Sequence, residues 1–190
     1  MNKPFTADQE FKGLDYTKNR LPKGEYENCV FEGCDFSKGY LDNQNFMECE
    51  FIDCNLSNTN IAHSVFKEVT FSYCKMMGLK FEDCNDFFLS FNFKNCNLNY
   101  SSFYRLKAKN IQFIKCKLIE VDFTETDLTD AVFDECDLSK AIFENTILEK
   151  VDLSTSINFN INPERNRLKK AKFSKENIVG LLEKYDIVIT

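Results

Sequence analysis

At 190 residues the chain fits one domain with room for a sizeable core. Its formal net charge of −6 argues against a uniformly basic surface, so no direct nucleic-acid binding is expected. No apolar run approaches the ~18 residues that cross a bilayer, and the stretch from Met1 to Gly13 lacks the apolar core of a secretion signal. A cytoplasmic location, reduced thiols and no membrane partner are the expectation.

In chain order, residues 1–25 read as an N-terminal cap and an irregular first coil. Large apolar residues already recur there every fifth place, at Phe11, Tyr16 and Leu21, although Pro22 and Gly24 disturb the pattern. The rhythm is regular over residues 26–155. It runs through Tyr26, Phe31, Phe36, Leu41, Phe46, Phe51, Leu56, Ile61, Phe66, Phe71, Met76 and Phe81. After a slip of two residues it resumes at Phe88, Phe93, Leu98, Phe103, Ala108, Phe113, Leu118, Phe123, Leu128 and Phe133, and ends at Leu153. We call this the central position. Two residues before it stands a second inward position, usually small, and all nine cysteines occupy it. The other three places are mostly Asp, Asn, Ser, Lys, Glu or Thr.

Neither a helix, with its period of 3.6, nor a strand, with its period of two, stays in phase with so many fives. A chain that turns a corner every five residues does. Four such sides make a square coil of twenty residues, and coils stack at the ~4.8 Å spacing of paired strands. The cysteines carry the larger period: Cys34, Cys54 and Cys74, then Cys96, Cys116 and Cys136. One wall has only phenylalanine at its centre, namely Phe31, Phe51, Phe71, Phe93, Phe113 and Phe133, and the cysteine column stands on the next. Six to seven coils over residues 26–155 would make a rod on the order of 30 Å long. The two extra residues fall in Cys84–Phe88, a bulge at one corner in which Phe87 or Phe88 takes the central place.

Nine cysteines are too many to pair within one chain without a remainder, and they lack the close Cys/His spacing of a metal site. Small side chains filling a tight interior are the expected role. His63, the sole histidine, falls on an outward place with no carboxylate or thiol arranged beside it. Six scattered glycines form no phosphate loop. No enzyme activity and no cofactor or metal are expected.

Charge is banded along the chain. From Phe87 to Ile119 there is no Asp or Glu, while Lys94, Arg105, Lys107, Lys109, Lys115 and Lys117 are basic. Beyond it stand Glu120, Asp122, Glu125, Asp127, Asp130, Asp134, Glu135, Asp137, Glu144, Glu149 and Asp152, the candidate partner-binding residues. Residues 156–190 read as a C-terminal cap, with Ser174 starting a helix over about 175–185. Ile178, Leu181, Leu182 and Tyr185 form its apolar stripe, and Ile187 to Ile189 a short strand. With Ile187 and Ile189 these are the candidate cap or dimer contacts. Such a unit either lids the last coil or also pairs two chains about a twofold.

The pentads Cys34-Asp-Phe-Ser-Lys38, Cys54-Asn-Leu-Ser-Asn58, Thr126-Asp-Leu-Thr-Asp130 and Cys136-Asp-Leu-Ser-Lys140 resemble the A(D/N)LXX consensus of the pentapeptide-repeat family. That resemblance implies an all-β solenoid, a right-handed quadrilateral β-helix with four pentads per coil. The tail from Ala171 to Thr190 is similar to the C-terminal cap of the Qnr- and MfpA-type quinolone-protection branch. The resemblance implies a homodimer through that cap and a rod that imitates DNA, binds DNA gyrase or topoisomerase IV, and in some members shields it from quinolones or toxins. Two features depart from the branch: the chain has only a two-residue bulge where many members project longer loops, and the basic belt interrupts the negative charge. The alternative function is a structural or interaction scaffold for an unrelated protein partner.

Overall fold

The computed structural model describes residues 4–87 and 89–188. Its backbone is a solenoid of short parallel strands, each pairing with the residue about twenty places on. One sheet contains β1 (Phe5–Ala7), β3 (Glu25–Glu27), β5 (Asn45–Met47) and β7 (Val65–Lys67) in that spatial order. The other contains β2 (Glu10–Lys12), β4 (Val30–Glu32), β6 (Glu50–Ile52), β8 (Val69–Ser72), β9 (Phe91–Lys94), β10 (Gln112–Ile114) and β11 (Val132–Asp134). The remaining two walls are held by single parallel bridges, such as Asp35 to Asn55 to Lys75 to Asn97. Parallel pairing runs from Phe5 to Lys172.

The inward positions face inward as the spacing demands. Phe31, Phe51, Phe71, Phe93, Phe113 and Phe133 are all buried and form one stack with centroid separations of 4.7 to 5.4 Å. Rings from the adjoining walls meet this spine edge-on, Phe103 at 5.6 Å from Phe113 and Phe123 at 5.8 Å from Phe133. Offset-stacked and edge-to-face contacts are the two geometries that ring quadrupoles favour. The central column of this wall is apolar at every level.

The small inward position has a second reason that spacing alone did not expose. Where Cys, Ser or Thr fills it, the side chain often donates to the carbonyl of a central residue one coil earlier. Cys54 donates to the Phe31 carbonyl at 3.2 Å, Cys74 to Phe51 at 3.3 Å and Cys136 to Phe113 at 3.3 Å. Thr126 and Thr146 make the same bond to Phe103 at 2.8 Å and Phe123 at 2.9 Å. Cys, Ser and Thr therefore share the place because each is small and each donates. All nine cysteines are buried free thiols. Burial pushes the Cys49 thiol up to about 12. Neighbouring thiols, and then burial, raise Cys74 and Cys116 as well.

Corners require the left-handed backbone region. The residue two after the central one has φ near +55°, as at Lys38, Asn58, Asn95, Glu120 and Glu135, and Gly13, Gly33 and Gly78 occupy the same place. The residue just before the central one is often Asp or Asn because its side chain caps the turn. Asp35 accepts the Ser37 amide at 2.8 Å, Asp122 that of Thr124 at 2.8 Å, and Asn97 that of Asn99 at 3.1 Å.

Three expectations are corrected. The inserted pair falls after Asn85, within the later part of Cys84–Phe88 or just past it: Asn85 still donates to Ser64, twenty-one residues back, whereas Asn97 reaches Cys74, twenty-three back. The extra residues therefore enter between Asn85 and Phe91. Phe87 is 69% exposed and does not fill the core there, while Phe88 lies outside the described residues. Phe91 turns inward, 5.2 Å from both Phe81 and Phe93. Second, no α-helix forms over 175–185; the chain makes two 3-10 turns, Ile178–Leu181 and Glu183–Tyr185. Gly180 sits against Phe159 so tightly that the segment follows the end of the coil instead of its own helical path. Third, Ile187 and Val188 form no strand, and Ile189 lies outside the described residues.

Candidate partner-binding surface

Among the described residues no group of three or more His, Cys, Asp or Glu is arranged to hold a metal. His63 stands exposed at a corner with φ +58°. No described helix is long and apolar enough to cross a membrane.

The acidic candidates form a ring. Glu120, Glu125, Asp130 and Glu135 are the four corner residues of one coil, each exposed, each in the left-handed region with φ between +49° and +58°. One carboxylate thus projects from each edge of the rod at a single level. The five-residue register places them there, since residues five apart turn successive corners.

Each member of the ring is clasped by a base one coil away. Arg105 meets Glu125 at 2.7 Å, Lys115 meets Glu135 at 3.5 Å, Lys140 meets Glu120 at 3.4 Å and Lys150 meets Asp130 at 3.4 Å. The pairing continues outward through Lys109 to Asp127, Arg165 to Glu144, Arg167 to Glu149 and Lys172 to Asp152. Base and acid stand about twenty residues apart in the linear sequence, and one turn of the coil makes them neighbours. The Arg105 guanidinium holds the Glu125 carboxyl below its ordinary range. For Asp127, burial works against ionisation, but Thr129 and Lys109 outweigh it and the carboxyl is lowered.

Asp122, Asp134 and Asp137 have no ion pair within 4 Å among the described residues. Asp122 and Asp137 each accept an amide two residues on, and Asp134 accepts the Thr155 hydroxyl at 2.9 Å. The exposed ion pairs stabilise only weakly, and salt screens them. The net effect is a ring of negative charge flanked by positive charge. It is not an evenly negative rod.

The C-terminal unit covers the last coil. Leu168 and Phe173 follow Leu148 and Leu153 by twenty residues, so the coil continues partway into the tail. Ser174 starts no α-helix; it closes a local turn, accepting the Asn177 amide at 3.1 Å while its own amide donates to Asn177 at 2.8 Å. The Asn177 side-chain amide then donates to the carbonyls of Leu153 at 2.7 Å and Ser156 at 3.0 Å. Leu181 packs on the core and Leu182 is half-buried. Ile178, Tyr185 and Ile187 remain exposed, together with Val179 and Val188. The lid role is thus carried by Asn177, Gly180 and Leu181, and an apolar patch is left on its outer side.

The family model of a pentapeptide repeat region matches residues 19–85, 44–113 and 86–181. No curated protein sequence matches the chain. Two solved structures of trypsin-treated variants of QnrB1, a plasmid-mediated fluoroquinolone resistance protein, share the fold. One has a TM-score of 0.64 at 19% identity, covering 98% of this chain and 100% of the other. The second has a TM-score of 0.64 at 17% identity, covering 100% of both chains. From its five-residue walls, its stacked coils and the family match, the chain belongs to the pentapeptide-repeat family.

Proposed function

We propose that the protein is a non-enzymatic protein-binding rod whose partner is a type II topoisomerase, DNA gyrase or topoisomerase IV, and that it protects that enzyme from quinolones or toxins. The carrying observation is the ring of Glu120, Glu125, Asp130 and Glu135, which presents a carboxylate on every edge at one level. Asp122, Asp127 and Asp137 lie on the walls between those corners. A positively charged DNA-binding saddle would meet negative charge whichever wall it approached. The likeness of 98% of this chain to trypsin-treated QnrB1, a fluoroquinolone resistance protein, supports the same reading. The exposed Ile178, Tyr185 and Ile187 provide the apolar end through which two rods would join, bringing both rings toward the centre of the dimer.

A second reading, an interaction scaffold for an unrelated protein, is favoured by one observation. Eight of the eleven candidate carboxylates are already paired with a base, which lowers the potential a duplex mimic needs. Gyrase supercoiling titrated with this protein, with and without ciprofloxacin, separates the two. Inhibition or rescue that weakens on replacing Glu120, Glu125, Asp130 and Glu135 with Gln supports the topoisomerase reading. An unaltered supercoiling reaction at saturating protein removes it.

A further inference from the structure

We propose that one edge of the rod, between the seven-stranded sheet and the cysteine wall, is a self-complementary surface that binds a second copy of this chain side by side and antiparallel. This edge shares only its last level, Asp134, Glu135 and Asp137, with the acidic candidates, and the inference does not depend on what the acidic ring binds.

The stacking of this edge is fixed by its registers. Lys12, Glu32, Ile52, Ser72, Lys94, Ile114 and Asp134 form one paired column. Asp15, Asp35, Asn55, Lys75, Asn97, Lys117 and Asp137 form the parallel column past the corner. Between the two columns lie the corner residues, among them Gly33, Asp53, Tyr73 and Lys115, each donating its amide to the coil above.

Level by level, charge changes sign about Tyr73. One coil before it stands Asp53, and one coil after it Lys94. Two coils before stand Glu32 and Asp35, and two coils after stand Lys115 and Lys117. A twofold axis lying in the interface, across the rod at Tyr73, exchanges those levels. Asp53 then faces the Lys94 level of the second copy, and Glu32 with Asp35 faces its Lys115 and Lys117. Each contact occurs twice, as an isologous interface requires. Lys12 falls opposite the acidic level of Asp134 and Glu135. Two like-charged meetings oppose this, Lys75 with its own copy and Asp15 with Asp137.

Three further features fit. Tyr73 is 57% exposed at the proposed axis, and tyrosine is among the residues that anchor interfaces. Gly33 has open space where a side chain would project, with nothing nearer than 4.0 Å to the place a Cβ would take, which leaves room for the Lys115 opposite. Lys94 and Lys117 have no carboxylate within ion-pair distance among the described residues, and Lys115 has only the exposed Glu135 at 3.5 Å. Nucleic acid fits this edge less well. The basic levels span two coil spacings, roughly 10 Å, and acidic levels lie on both sides, so an extended polyanion would meet carboxylates within a few ångströms.

The test uses the full chain. Tyr73→Cys places one exposed thiol at the axis while the nine native thiols stay buried; Tyr100→Cys, at another exposed corner, is the control. Under mild oxidation at low ionic strength, Tyr73→Cys is expected to form covalent dimer and Tyr100→Cys is not. Sedimentation of the Lys115→Glu/Lys117→Glu variant should show association weakened roughly tenfold or more. Adding Glu32→Lys and Asp35→Lys should restore it. Leu182→Asp, which disrupts any pairing through the cap, should leave the Tyr73→Cys dimer unchanged. Equal dimer yields from the two cysteine variants, or no rescue by the reversed charges in protein whose circular dichroism is native, would overturn the proposal.

Discussion

Replacing Phe113 with alanine tests the load carried by the aromatic spine. The ring is 0% exposed, stacks on Phe93 at 5.3 Å and Phe133 at 4.8 Å, and meets Phe103 and Phe123 edge-on at 5.6 and 6.0 Å. Truncation loses the transfer free energy of the ring and leaves a cavity, together about 3–5 kcal/mol. The lost ring pairs place the cost at the upper end. In a solenoid stabilised by nearest-neighbour stacking, a mid-rod defect also uncouples the coils on either side. Phe143→Ala should cost less, because among the described residues Phe143 stacks only on Phe123, at 5.2 Å, and is 5% exposed. Lys107→Ala, on the outer wall, should change stability by less than about 0.5 kcal/mol. Urea melts followed by circular dichroism measure all three. If Phe113→Ala and Lys107→Ala melted together, the aromatic spine would not be what holds the coils.

Three other outcomes are expected. Gly180→Ala should release the C-terminal cap, since its methyl would stand 2.3 Å from the Phe159 carbonyl oxygen and 2.6 Å from its ring. Hydrogen exchange should then rise across 174–188 while the coils before Leu153 keep their protection; unchanged exchange would contradict the close contact. Native protein should resist thiol alkylation at neutral pH because burial removes reagent access and raises Cys49 to about 12. Mass spectrometry should show no adducts before unfolding and nine after it. Acid should loosen the fold. Asp152, lowered by the Ser154 hydroxyl and Lys172, and Glu125, lowered by Arg105, are more readily ionised folded than unfolded. Their contribution is complete above the unfolded carboxylate range and fades as pH falls through the lower folded values, so melting temperature should be level from neutral pH to about 5 and drop below about 4. A level profile down to pH 3 would be inconsistent with these pairings.

The inward and outward faces of the rod could be read from the linear chain because each wall contributes only one pentad. Phe113 is central in the sequence and buried in the structure for the same reason: a five-residue side has one middle. The twenty-residue spacing of Cys54 and Cys74 likewise became one column, since paired strands keep register. Pattern failed where the local code was ambiguous. Ile178 to Tyr185 carry a helical stripe, yet Gly180 lies so close to Phe159 that the segment follows the coil's end as 3-10 turns. At the bulge, Phe87 and Phe91 are chemically alike, and only packing left Phe87 exposed and turned Phe91 inward.

Local spacing, then, determined the square coil, the aromatic spine and the cysteine column, because each depends on residues five or twenty places apart in a repeating backbone. Tertiary structure alone decided how charge is used. Eleven carboxylates between Glu120 and Asp152, with only Lys140 and Lys150 among them, read as an acidic segment, but stacking brings Arg105 to Glu125 and Lys115 to Glu135 across one coil spacing. Electrostatics depends on distance through space, and neighbours across the stack are separated by a full turn of chain.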